Sequence, residues 1–180
     1  MAGNARIMGI DPGSRTTGVA IIDATQQQST VVHYQPVRCG TGDLPERLKV
    51  IFETVSELIG QHRPDEFAIE NVFMATNAAS ALKLGQARGA AICAAVAHHL
   101  PVYEYAPKAI KQAVVGKGGA AKSQVQFMVG LLLGIKGNIQ EDSADALAVA
   151  LCHANTRWAV SQLNLGSSYY RHNRAGTRRR

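Results

Sequence analysis

Three short apolar runs joined by short connections open the chain, and they constrain the fold more than anything that follows. Residues 6–10 (RIMGI) end at Asp11-Pro12-Gly13-Ser14-Arg15, a turn by composition. Residues 18–22 (GVAII) form the second run, and residues 30–37 (TVVHYQPV), with their β-branched residues, the third. Runs of this kind bounded by turn residues read as strands. Their connections are too short for the crossovers that parallel neighbours need, so an antiparallel meander is expected.

Beyond the meander the periodicity changes. Residues 43–61 repeat Leu48, Ile51, Phe52, Val55, Leu58 and Ile59 at helical spacing, with Pro45 in the first turn and Asp43 and Glu46 spaced as a capping box. Residues 66–70 (EFAIE) read as a strand, residues 78–100 as a long helix of small residues containing Gly85 and Gly89, and residues 102–105 (VYEY) as a strand. Helices are expected from Pro107 to Val115, after the loop GKGGAAK to Leu133, and over residues 141–158. The expected class is therefore α/β: a mixed central sheet, with the antiparallel meander plus parallel strands, flanked by helices on both faces. If the strand at 66–70 lies parallel beside the first strand, Asp11 and Glu70 meet at their C-terminal ends, where α/β sheets place their sites.

A length of 180 residues with 46% hydrophobic content suits one core. We expect a single domain over residues 1–158 and a flexible basic tail over residues 159–180. No apolar run is long enough to span a bilayer, and no apolar leader precedes Asp11, so a soluble cytoplasmic protein is expected. Cys39, Cys93 and Cys152 are far apart, which argues against a zinc site or a disulfide framework.

The net charge of +6 is unevenly spread. Five arginines fall in the last ten residues, and residues 71–140 hold seven basic groups against the single acid Glu104. Such segregation suggests a basic surface facing a polyanion, although basic stretches are often merely solvated faces.

Four acids stand where charge is costly or clustered. Asp11 and Glu70 each end an apolar strand, and Asp142 and Asp145, three apart, share a face at the start of the last helix. Glu141 points elsewhere and is the weaker candidate. Crowded carboxylates raise one another's pKa, and an all-oxygen set suits Mg²⁺ or Mn²⁺. Simpler readings exist for three of them: an Asx turn at Asp11, a helix N-cap at Asp142 and a favourable first-turn acid at Asp145. Glu70 has none.

Residues 9–18 (GIDPGSRTTG), 68–89 (AIENVFMATNAASALKLGQARG), 104–123 and 141–150 (EDSADALAVA) together closely resemble the RuvC Holliday-junction resolvase family over roughly residues 6–155. The resemblance implies an RNase-H-like fold, a homodimer, and an endonuclease that resolves four-way junction DNA in recombination and repair, beside the RuvA–RuvB branch-migration complex. It makes Asp11, Glu70, Asp142 and Asp145 the acidic tetrad, Lys111 and Lys122 basic residues acting near the scissile strand, and Phe73 an aromatic that meets junction bases. Two Mg²⁺ per subunit are expected, with Mn²⁺ as a substitute. Paired nicks would leave 5′-phosphate and 3′-hydroxyl ends. Actin-like ATPases share a related fold but need two such domains, and a non-catalytic junction binder would be free to lose a carboxylate that this chain keeps. A related nuclease acting on RNA is the nearest rival.

Overall fold

The computed structural model describes residues 3–71 and 77–163. Strands β1 (Ala5–Asp11), β2 (Thr16–Ala24) and β3 (Ser29–Arg38) form the antiparallel meander. On the other side of β1, β4 (Glu66–Glu70) pairs with it in parallel, and β5 (Val102–Tyr105) continues the parallel half. The order is β3-β2-β1-β4-β5. The expected mixed sheet is thus found.

Side chains of successive residues point to opposite faces of the sheet, and here both faces are dry. Met8, Ile10, Val19, Ile21, Phe67 and Ile69 pack under α1 (Leu44–His62) and α2 (Ala78–Ala97). Ile7, Ala20, Ile22 and Ala68 pack under α5 (Glu141–Gln162), with α3 (Pro107–Val115) and α4 (Lys122–Leu133) completing that layer. Burial on both faces explains why these strands read as continuous apolar runs.

Helix α5 comes unusually close to the sheet. A Cβ on Gly9 would run into the backbone of Ala146 and Ala150, and one on Gly18 into the carbonyl of Asp142. Both glycines therefore set the height of the helix above β1 and β2. Further along α5, a buried polar cluster ties the helix to the start of β4. His153 Nε2 lies 2.6 Å from a Glu66 carboxylate oxygen, and its Nδ1 lies 2.6 Å from the Tyr105 hydroxyl. A neutral ring that donates through Nε2–H and accepts the tyrosine proton at Nδ1 satisfies both contacts. Arg157 Nε pairs with the same carboxylate at 2.6 Å. Burial alone would raise the Glu66 pKa, but the hydrogen bond from His153 and the adjoining positive charge outweigh it and hold the carboxylate ionised.

Some element ends differ from those expected. Asp43 is the N-cap of α1 but makes no side-chain cap, and the Glu46 carboxylate folds over Gly42 instead of closing a capping box. Helix α2 stops at Ala97, short of residue 100. His99 turns left-handed (φ 60°) and the Leu100 amide donates back to the Ala95 carbonyl, a Schellman-type ending placed just ahead of Pro101. Helix α5 runs to Gln162, past residue 158, because the chain supplies no glycine or proline to stop it there. Among the described residues no helix is long and apolar enough to cross a membrane. Arg171, Arg174 and Arg178–Arg180 of the basic tail lie outside the described residues.

Candidate active site

Asp11 and Glu70 close two parallel neighbours whose last paired residues are Ile10 and Ile69. Their side chains lie on the same sheet face as Gly9 and Ala68, the face that α5 covers. Across the hairpin, Asp11 pairs with Gly18. The hairpin is held by the Thr17 hydroxyl, which donates to the Gly13 carbonyl at 2.8 Å and accepts from the Gly13 amide at 3.3 Å. Because Gly18 has no side chain, the first turn of α5 settles beside Asp11 and brings Asp142 and Asp145 with it. Asp142 does not cap the helix, since Gln140 holds the N-cap position.

The electrostatics show how closely the four acids are gathered. Burial, then the charges of Glu70, Asp145 and Asp142, push the Asp11 carboxyl up to about 8. Burial and the Asp145 charge raise Glu70, while Lys122, Lys111 and a hydrogen bond with Asp11 act the other way. Asp145 is raised by burial and by Glu141 and Asp142, against the pull of Lys122. These acids share a dry corner with too little positive charge, which favours protonation or a bound cation.

Lys122 supplies part of the missing charge. Its ammonium lies 2.5 Å from Glu141 and 3.6 Å from Asp145, and the Glu141 hydrogen bond raises its pKa. Lys111 acts on Glu70 from the first helix of the α3–α4 pair. The structure therefore gathers six of the sequence-derived site residues at one corner. Phe73 lies outside the described residues. Sequence reasoning set Glu141 aside as pointing away, yet it is the nearest partner of Lys122. No local spacing signals that pair, because 19 positions separate the two residues.

Among the described residues, no group of three or more His, Cys, Asp and Glu side chains stands in position to hold a metal ion as arranged. The fit to a divalent cation rests instead on donor chemistry and charge. The donors are all carboxylate oxygens, as hard cations require, and three of the acids are held above their usual pKa, first by burial and then by neighbouring carboxylates.

The sequence profile of crossover junction endodeoxyribonuclease RuvC matches residues 7–153. The chain belongs to the RuvC family. Its RuvC relatives include that of Xanthomonas euvesicatoria pv. vesicatoria, 55% identical over 164 residues, covering 90% of this chain and 94% of the relative. RuvC of Vibrio vulnificus is 59% identical over 150 residues, covering 83% and 87%. In three dimensions the fold superposes on Thermus thermophilus RuvC in complex with Holliday junction substrate at a TM-score of 0.81, with 34% identity and coverage of 86% of this chain and 96% of that one. The RuvC likeness thus spans the sheet, all five helices and the carboxylate corner together.

Proposed function

We propose that this crossover junction endodeoxyribonuclease resolves four-way DNA junctions by metal-dependent hydrolysis at the Asp11–Glu70–Asp142–Asp145 corner. The observation that carries the reading is the gathering of four half-buried carboxylates at two strand ends and one helix start, with two lysines beside them. Mg²⁺, two ions per subunit, is the proposed cofactor, with Mn²⁺ as a substitute. When bound, the ions supply charge that activates water and stabilises the leaving 3′ oxygen. The chain's own part is to hold the carboxylates in place, to exclude water at the sheet face and to set Lys111 and Lys122 against the scissile phosphate. The four carboxylates call for no covalent nucleophile, and direct attack by water leaves 5′-phosphate and 3′-hydroxyl ends. Phe73 is proposed to meet junction bases, and the RuvA–RuvB complex is the partner the family resemblance implies.

Incubation with Mg²⁺ and synthetic four-way junctions, linear duplexes and RNA–DNA hybrids tests the reading. Paired, ligatable nicks on the junction are expected. Cutting only of hybrids would replace it with an RNA-processing nuclease. In the same assay Lys122→Ala should slow single-turnover cleavage at saturating enzyme by about 10²-fold while affinity changes little. Weaker binding with unchanged chemistry would reduce Lys122 to a phosphate-positioning role.

Two cuts on a two-fold symmetric junction need two such corners, and a C2 dimer provides them. Leu82, Gly85, Gly89, Cys93 and Val96 line one side of α2, with Leu82 and Val96 well exposed. Among the described residues, nothing outside the helix's own neighbouring backbone lies within 4 Å of a Cβ placed on Gly85 or Gly89. The stripe is therefore free for close approach by a second α2, while Ala87, Ala91, Ala94 and Ala95 pack inward. Sedimentation at micromolar concentration should show a dimer, and Leu82→Glu with Val96→Glu should yield folded monomers. A parent protein that stays monomeric even on a junction would refute the paired-cut scheme.

A further inference from the structure

A surface groove runs from the start of α4 to the segment that returns from its end to α5. Its volume is about 580 Å³, within the range of a site for a small organic molecule. Phe127, 69% exposed, stands on one wall with Leu131, and Ser123 and Gln126 line the same helix. Lys136 and Asn138 line the opposite wall. No acid is among its lining residues. Ser123 follows Lys122, whose ammonium lies 3.6 Å from Asp145, and Asn138 stands four positions before Asp142, so the lining is continuous in sequence with the carboxylate corner at both ends.

We propose that this groove receives an unstacked nucleotide of the cut strand, next to the scissile phosphate, with its base against Phe127. This rests on the reading of the chain as a junction endonuclease. Each feature of the lining matches one part of a nucleotide. The exposed aromatic ring offers a stacking face, and Leu131 adds an apolar edge beside it. The amides of Gln126 and Asn138 carry both donors and acceptors for a base edge. Lys136 suits the phosphate, and the absence of acids removes the repulsion that would exclude a polyanion. A junction crossover supplies bases whose stacking is already interrupted, which lowers the cost of turning one outward. An apolar segment of a partner protein would use Phe127 and Leu131 but has no need of the two amides or the lysine. The nucleotide therefore accounts for more of the lining.

The experiment places 2-aminopurine at successive positions on each side of the cut in a synthetic junction. Binding is followed by its emission in an Asp11→Asn background that leaves the strand intact. With Phe127 or Phe127→Trp, one or two adjacent positions should change emission on binding, and Phe127→Ala and Phe127→Leu should abolish that change. Junction affinity should fall about tenfold in the Ala and Leu variants, as loss of one base–aromatic stack does. Because Phe127 is exposed, these variants leave the core untouched. Wild-type emission and affinity in Phe127→Ala would overturn the proposal. So would Phe127→Leu behaving as the parent, since an apolar docking patch tolerates leucine and a stacking platform does not. A parent protein that cuts junctions yet ignores Phe127 defeats this proposal alone. One that cuts no junction defeats the functional reading as well.

Discussion

Asp11→Asn should lose at least about 10³-fold in junction cleavage, more than removal of a single electrostatic donor costs. Junction affinity should be nearly unchanged, because the basic groups remain. The same variant should be more stable than the parent when divalent metal is chelated. Asp11 titrates near 3.8 when unfolded and at about 8 in the fold, where burial and three neighbouring acids oppose its charge. Between those values the folded chain binds more protons than the unfolded one, so stability is lost as pH rises from about 4 to about 8. Asparagine carries no such charge. Its advantage should be absent near pH 4 and greatest near pH 8, where it cannot exceed about 5 kcal/mol. Added Mg²⁺ should stabilise the parent by mass action and do less for the variant. Thermal melts at pH 5 and pH 8, with and without Mg²⁺, measure all of this. An equal response to Mg²⁺ in both proteins would remove Asp11 from the metal-binding set. Cleavage by the parent should rise with pH at fixed Mg²⁺, since metal and protons compete for these carboxylates, and excess Mg²⁺ should shift that rise to lower pH.

Gly18→Ala should damage both stability and catalysis without touching a charged group. The new methyl would meet the Asp142 carbonyl and press on Ala146, both on α5. Overpacking of this sort costs about 1–3 kcal/mol, and the backbone involved leaves little room to yield. Lifting the first turn of α5 carries Asp142 and Asp145 away from Asp11 and Glu70. A displacement of about 1 Å at reacting groups can cost about 10²-fold in rate. We expect a lower melting temperature together with a cleavage rate reduced at least that far, while a Gly60→Ala control, whose Cβ meets open space, keeps both. Full activity in Gly18→Ala would mean that the helix height does not set the carboxylate geometry.

Much of this was legible in the chain because its signals are local. Residues 66–70, 102–105 and 107–115 are assigned from sequence with the same bounds found in the structure, since proline and charged neighbours mark their ends. Asp11 and Glu70 stood out because an acid closing an apolar strand lacks a routine explanation. Features that depend on distant parts of the chain were hidden. Glu141 looked like a solvent-facing helix acid until Lys122 was brought against it. Gly18 looked like an ordinary strand glycine, since nothing near it in sequence shows that a helix over 120 positions later needs its missing side chain. Residues 130–139 offered three glycines and a lysine with no periodicity, so the groove beside α4 had no sequence signature at all.

Strand β4 holds an acid at each end, and both turn to the same helix. Glu66 is fixed to His153 and Arg157 of α5, while Glu70 faces Asp145 of that helix. Strand and helix are thereby riveted at one end and work at the other. A shift of α5 by one residue along its axis, about 1.5 Å, would tear the charged rivet apart inside a dry interior. The gap between Glu70 and Asp145 is thus gauged by side chains that never meet the substrate. Adjustment to different cations must then come from side-chain rotation at the working end, with Lys122 and Asp145 as the compliant parts. The fold behaves as a caliper whose jaws are set from its handle.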